Sequence, residues 1–388
     1  MLSMNSHISR REMIKGSVAA TALAFMQFPL SSFGFAEPEE EATLIPFLDP
    51  QPLNPNRPML NWERLQSWVT PNEQVFAVSH YGMATVDASA WRLEISGLVK
   101  SPKHLSLDEI KARNRKQIIA TLECSGNSSS PGFLGAVGNV RWTGTPLAPL
   151  LRECGLYQRG IEVVFFGADE KTEKIREKDY LQNFARSLSV KDALRDDVIL
   201  AYEMNGEPLP KEHGAPLRLV VPGWFGIAWV KWLTRIEVLD RRFMSKFMGR
   251  DYVTIRGEEK DGHTVWRETS VGPIDVKSIT ARAVRLKNGT VRISGAAWTD
   301  GTPLKKVELQ IDGGNWITVQ LDKKQQAKYS WTFWNYDWKN PSPGEHTVVS
   351  RAVDAEGRIQ PSPDDPAIKL KRTYWEANQQ YPRKLKIT

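Results

Sequence analysis

Cys124 is the residue in this sequence best placed to do chemistry. It closes an apolar run, Ile118 to Leu122, and opens a polar, glycine-containing loop from Ser125 to Ser130, the kind of strand-to-loop junction at which a side chain meets a ligand. A thiol there has several uses. As a thiolate it is a soft metal ligand, and with His80 or His213 as base it is a nucleophile for hydrolysis. With Cys154, the other cysteine of the chain, it could form a disulfide. Against the disulfide, Cys154 ends the stretch Pro149-Leu150-Leu151-Arg152-Glu153-Cys154-Gly155, which reads as the buried end of an amphipathic helix stopped by glycine. No Cys-x-x-Cys-His motif is present, so no covalent c-type haem is expected on this chain.

The N-terminus bears on which of these uses the thiol has. Ser9-Arg10-Arg11-Glu12-Met13-Ile14-Lys15 is a twin-arginine pattern, followed by a weakly apolar run from Ser17 to Leu30 and a small-residue end at Gly34-Phe35-Ala36. Residues 1–36 are therefore expected to be a signal peptide cleaved after Ala36, with a periplasmic mature protein. Pro29, Ser31, Ser32 and Gly34 break the alternative, a first helix of the folded domain. The apolar stretch falls short of the ~20 residues that span a bilayer, and no other window approaches that length, so no membrane span is expected. The twin-arginine route moves proteins already folded, often around a cofactor. The whole chain has 52 Lys+Arg against 45 Asp+Glu. Removing a leader with three basic residues and one acidic residue leaves 49 against 44, a net charge of +5. That surplus suits an anionic substrate or an acidic partner. Nucleic acid is not expected: no dense Lys/Arg run is interleaved with aromatics, and no zinc-finger or RNA-binding signature is present.

Two domains must position these groups, because roughly 350 mature residues exceed what one core usually serves. Residues 37–265 mix strand-like segments (Trp91 to Val99, Ile161 to Phe166, Val198 to Glu203, Leu217 to Val221) with helical ones (Leu107 to Asn114, Thr145 to Cys154), which predicts an α+β domain. Residues 266–388 lose the helical pattern. Short strands separated by turn residues, among them Val291 to Trp298, Lys306 to Ile311 and Glu345 to Val353, predict a β-sandwich. Asp312-Gly313-Gly314 and Asp354-Ala355-Glu356-Gly357 mark its clearest turns. The join, Asp251 to Asp275, reads as polar and irregular. The aromatic cluster Trp331, Phe333, Trp334, Tyr336 and Trp338 fits either the sandwich core or an interface.

Taken in order, Thr121-Leu122-Glu123-Cys124-Ser125-Gly126-Asn127, the run VILAYEMNGEPLP from Val198 to Pro210, Lys211-Glu212-His213-Gly214-Ala215-Pro216-Leu217-Arg218, Val221-Pro222-Gly223, Val230-Lys231-Trp232-Leu233 and Arg250-Asp251-Tyr252 resemble the sulfite oxidase family of molybdopterin oxidoreductases. Val307 to Gly314 and Arg351-Ala352-Val353-Asp354 resemble the strands of its C-terminal dimerisation domain, so the likeness covers nearly the whole mature chain. The resemblance implies a sulfite-oxidase-like molybdopterin-binding domain followed by an Ig-like all-β sandwich that forms a homodimer. It makes Cys124 the ligand of molybdenum in a molybdenum-molybdopterin cofactor. Cofactor contacts fall on His80, Tyr81, Gly82, Asp169, His213, Arg218, Trp229, Val230 and Lys231, with the arginine and lysine as natural phosphate partners. Catalysis falls on Tyr252, with Asp251 beside it and Cys124. The implied reaction is oxidation of sulfite to sulfate by oxygen-atom transfer, with electrons passing to an external periplasmic c-type cytochrome.

Away from that likeness, Arg218 and Lys231 would read as surface charges at strand ends, His80 and Asp169 as solvated loop residues, and Tyr252 as a linker tyrosine packed between domains. The sequence also departs from the family pattern. Ser79, Ser129 and Thr332 stand where substrate-binding arginines are expected. Arg250 and Arg256 are the candidates to supply the missing charge, and a less charged substrate, such as a sulfoxide or a protein-bound sulfur species, is consistent with the loss. Outside enzymology, the competing reading is an exported binding protein whose sandwich recognises a cell-surface ligand.

Overall fold

The computed structural model describes residues 42–49 and 59–388; the expected signal peptide lies outside the described residues. Strands dominate it. The first sheet runs Arg218–Val220, Ile199–Met204, Val137–Pro146, Lys116–Glu123 in antiparallel order. A second sheet runs Lys103–Leu105, Leu93–Gly97, Leu233–Leu239, Glu162–Ile175, Lys178–Ser189 and is antiparallel except where Leu233–Leu239 lies parallel to Leu93–Gly97.

The α+β expectation for this region needs correcting to mostly β. Its longest described helix is Leu147–Cys154, closed by Gly155 in the left-handed conformation. Leu107–Lys111 stops after five residues despite its Ser106/Glu109 capping box. Thr145 and Pro146, expected to start a helix, end the strand Val137–Pro146 instead. That strand is buried on both faces along most of its length, so it lacks the alternation by which a half-buried strand is read.

The join is also more regular than the sequence predicts. Val253–Lys260 and His263–Ser270 form a two-stranded antiparallel hairpin in continuous register. Its residues are largely exposed, and a strand that buries neither face carries no hydrophobic signature.

Beyond it, two sheets share one core. One runs Thr43–Leu44, Lys277–Arg285, Val291–Trp298, Thr332–Trp338, Gln320–Leu321 and the other Ile317–Thr318, Leu304–Ile311, Gly344–Asp354, Arg383–Ile387. Val291, Ile293 and Trp334 from the first meet Val307, Leu309, Val348 and Leu385 from the second. Ile45 and Phe47 belong to the same cluster, so the chain joins the sandwich before it builds the first two sheets. The larger core crosses the join: Trp62 stacks on Trp298 at 6.3 Å, and Trp68 and Trp331 each donate an indole N–H to the other's carbonyl. Trp331 and Phe333 fill this shared core and Trp334 the sandwich core, with Tyr336 and Trp338 packed against the latter. Burying the cluster in this way leaves little of it for a partner.

Candidate active site

Cys124 emerges at the end of the strand Lys116–Glu123, its amide donating to the Ala136 carbonyl at 2.9 Å. Both cysteines are free; Cys154 is buried at its helix end, as its position before Gly155 predicts. The thiol opens into a cleft of about 650 Å³ whose walls include Ser79, His80, Ser125, Asp169, His213, Arg218, Trp229, Lys231 and Tyr252. Residues more than 170 positions apart are thus brought to one place. Two glycines make the approach possible. A Cβ at Gly226 would lie 2.8 Å from Leu122 Cδ1 beside the thiol's strand, and one at Gly214, whose φ is +107°, would lie 2.8 Å from Lys231 Cβ.

Two cationic groups line the cleft. Arg218 is fully buried and donates to the carbonyls of His213 (2.9 Å) and Trp229 (3.1 Å), its guanidinium 4.8 Å from the Trp142 ring. Lys231 Nζ donates to Ser79 Oγ at 2.9 Å and to the Glu212 carbonyl at 2.8 Å. The Tyr252 hydroxyl lies 2.9 Å from His80 Nε2. Tyr252 is buried with φ +55°, a left-handed conformation that costs an aromatic residue about 1–3 kcal/mol and is held only where the surroundings over-determine it.

Burial sets the electrostatics. It brings His80 down to about 4, and His213 down to about 3 with help from the nearby Arg218 and Lys231 cations, so both imidazoles are neutral at pH 7. The same desolvation lowers Arg218 to about 9 and, with Arg218 adjacent, Lys231 to about 7. It raises Asp169 to about 6, and it pushes up the Cys124 thiol and the Tyr252 hydroxyl. Asp169 Oδ1, Ser125 Oγ and Arg218 Nε are buried without any hydrogen-bond partner, and all belong to residues lining this cleft. Buried polar atoms left unpaired are costly. Donors, an acceptor, two cations and one soft thiol converging on a cleft fit a polar, anionic, metal-bearing cofactor.

Residues 80–247 match the oxidoreductase molybdopterin binding domain, and residues 268–374 match the Mo-co oxidoreductase dimerisation domain. The chain is 30% identical to the sulfite oxidase of Gallus gallus over 333 residues, which cover 79% of this chain and 71% of that one. The chain belongs to the sulfite oxidase family of molybdopterin oxidoreductases. Mitochondrial sulfite oxidase of Drosophila melanogaster is 31% identical over 84% of this chain, which spans 60% of that relative's length. Among solved structures, the sulfane dehydrogenase SoxCD of Paracoccus pantotrophus superposes with a TM-score of 0.71 at 27% identity, over 93% of this chain and 95% of that one.

Within this chain, most residues predicted for the site line the cleft, but some do not. Asp251 is exposed, 3.9 Å from Lys246 in a loose ion pair, outside the cleft wall. The Tyr81 hydroxyl is directed to Gln182 at 3.4 Å, Gly82 has open space around it, and Val230 packs into the core. Arg256 is engaged by Glu376 (3.0 Å) and Asp275 (3.5 Å), and Arg250 by the Tyr180 hydroxyl (2.9 Å). Neither lines the cleft, so neither Arg250 nor Arg256 stands at its wall in place of the missing arginines. Thr332 lies on its sandwich strand opposite Ala297, also outside the cleft wall. Sequence reasoning missed Phe184, Phe247 and Trp375, which surround His80 and Tyr252. Only the third dimension brings Trp375 beside a tyrosine 123 positions earlier.

Lys231 gives a measurable linkage. Its ammonium titrates at about 7 in the cofactor-free fold against an ordinary 10.5, so the unfolded state binds more protons between those values and the stability of the cofactor-free protein should rise as pH rises from 7 to 10.5. Denaturant unfolding of cofactor-free wild type and Lys231→Met at pH 7 and pH 9 tests this. The variant should lose this rise. An anionic cofactor beside the ammonium raises its pKa and should flatten the wild-type dependence as well.

Proposed function

We propose that this chain is a periplasmic sulfur-oxidising dehydrogenase, exported by the twin-arginine route, with sulfite as the reference substrate and a c-type cytochrome as electron acceptor. The observation that supports it best is the convergence of the Cys124 thiol with three unpartnered polar atoms and the cations Arg218 and Lys231 on one cleft. Cys124 would hold molybdenum, while Arg218, Lys231, His213 and Asp169 would hold the pyranopterin and its phosphate. When bound, the cofactor supplies oxygen-atom transfer to a sulfur lone pair and stores the electrons. The chain's own residues bind and orient. Neutral His213 and His80 donate or accept without adding charge, Lys231 and Arg218 neutralise phosphate, and the Tyr252 hydroxyl holds a proton at the edge where the substrate enters. We read the sandwich as Ig-like and as the surface through which two copies associate.

The test is metal analysis of protein exported through its own leader, together with sulfite-dependent reduction of cytochrome c or ferricyanide. About one molybdenum per chain with sulfite turnover is the expected result, since one thiolate holds one metal. Colourless, molybdenum-free protein would overturn the reading. A second reading, oxidation of sulfane sulfur on a carrier, is favoured by Arg256 being tied up in ion pairs and by the likeness to a sulfane dehydrogenase. It predicts molybdenum with weak sulfite turnover and faster turnover on a protein-bound persulfide.

A further inference from the structure

Beneath the cleft, one buried ammonium holds two segments that sequence separates by about 250 residues. Lys277, 1% exposed, opens the sandwich strand Lys277–Arg285. Its Nζ donates to Glu123 Oε1 at 2.6 Å, to the Asn127 carbonyl at 2.7 Å and to the Ala377 carbonyl at 2.7 Å. Glu123 directly precedes Cys124 and is itself fully buried. Its second oxygen accepts the Trp298 indole N–H at 2.7 Å, and its first also accepts from Asn127 Nδ2 at 3.1 Å.

The third partner belongs to a strap laced along the thiol's loop. Ala377 N donates to the Ser125 carbonyl (2.9 Å), Gln379 Nε2 to the Ser128 carbonyl (2.9 Å), and Gly132 N to the Tyr381 hydroxyl (2.6 Å). This strap brings an aromatic pair up to Tyr252, a residue of the cleft wall. Trp375 stacks on Tyr252 at 4.0 Å and 21°, and Tyr374, 57% exposed, packs on Trp375 at 3.9 Å. A Cβ on Gly126 would sit 3.2 Å from the Tyr374 ring, so the strap lies directly on the loop two residues past the thiol.

We infer that Lys277 is a positioning residue for the active site, fixing the loop that carries the Cys124 thiol and the strap that stacks Trp375 on Tyr252 in one mutual geometry. The inference rests on Cys124 being the metal ligand. With three acceptors satisfied in full burial, the ammonium uses every proton it has. An ion pair so buried is weak evidence of stabilisation, and its better-attested use is to specify an arrangement. Here the arrangement is that of the thiol relative to Tyr252, supplied by the domain that otherwise lies outside the cleft wall.

Lys277→Met leaves Glu123 buried without its counter-ion, a change that can by itself prevent folding, so the decisive variant is Glu123→Gln/Lys277→Met, which removes both charges and keeps side-chain volume and the Trp298 acceptor. Both are compared with wild type as holoprotein. The readouts are molybdenum per chain, the thiolate-to-molybdenum absorption band, kcat and KM, and amide hydrogen exchange at 125–130 and 374–381. The double variant should fold and carry molybdenum. Its band should be displaced, its kcat should fall by about tenfold to a hundredfold, as misplacement of a reacting group does, with KM within about threefold of wild type, and exchange should quicken in both segments together. A folded, metal-loaded double variant with the wild-type band, kcat and exchange would overturn the inference, and so would failure of both variants to fold, which assigns Lys277 a purely structural role. Wild-type protein without molybdenum would sink the parent reading instead. Exchange in the folded chain would then still decide whether Lys277 couples the two segments.

Discussion

Cys124→Ser should abolish turnover while leaving the fold standing. Even a residue that only supports a metal ligand costs about 10- to 100-fold on removal, so loss of the thiolate itself is expected to cost about a thousandfold or more in kcat. The thiolate-to-molybdenum absorption band should vanish with it. The side chain is only half-buried and its backbone bonds, from its amide to the Ala136 carbonyl and from Asn127 N to its own carbonyl, survive the change; the thermal midpoint should therefore stay within a few degrees, as for other substitutions that leave packing intact. Burial raises the free thiol's pKa, so in cofactor-free protein the group is a protonated thiol and a poor nucleophile at neutral pH. That weighs against the hydrolase alternative, which also predicts activity independent of metal. The control is Cys154→Ser, at a buried helix end away from the cleft wall. It should cost stability and spare turnover. A Cys124→Ser protein with full molybdenum, an unchanged spectrum and wild-type kcat would remove Cys124 from the site.

The sequence made the site easier to read than the frame that holds it. Cys124 is legible because a thiol stands at the junction between an apolar run and a polar loop, and His213, Arg218, Trp229 and Lys231 only because their stretch resembles the sulfite oxidase family. The resemblance of Arg250-Asp251-Tyr252 puts Asp251 in the site, yet the left-handed turn at Tyr252 buries the tyrosine and leaves the aspartate exposed beside Lys246. Strands such as Val137–Pro146 and Val253–Lys260 escaped for opposite reasons. The first is buried on both faces and the second, past Thr254, on neither, and period-two patterning reveals only strands with one face in and one out. The strap from Tyr374 to Tyr381 has no motif at all. Its role follows from Lys277 and from backbone carbonyls, whose positions no residue type announces.

Tyr252→Phe should separate chemistry from packing. The ring is held between Trp375, stacked at 4.0 Å, and Phe247, with centroids 6.4 Å apart, and phenylalanine keeps those contacts, so folding and molybdenum content should match wild type. What disappears is the hydroxyl 2.9 Å from His80 Nε2. Because His80 titrates at about 4, it is neutral through the working range. An imidazole that donates from Nε2 leaves the tyrosine its own proton to direct into the cleft. Losing one such preorganised donor costs about 10²–10³ in kcat. The pH profile supplies a second check. Burial, with the Cys124 thiol nearby, pushes the Tyr252 hydroxyl upward, so the tyrosine acts as a fixed donor. The wild-type rate should then show no limb from Tyr252 below pH 10, and His80 should contribute an acid limb only as pH falls toward 4 and it takes up its proton. In Tyr252→Phe the acid limb should shift to higher pH, since the imidazole loses its fixed partner and is opened to water at the cleft. Asp251→Asn, removing a charge outside the cleft wall, should change kcat by less than about threefold, as surface substitutions do. Unchanged kcat in Tyr252→Phe alongside a large loss in Asp251→Asn would reverse the two assignments and make the tyrosine a packing element between the domains.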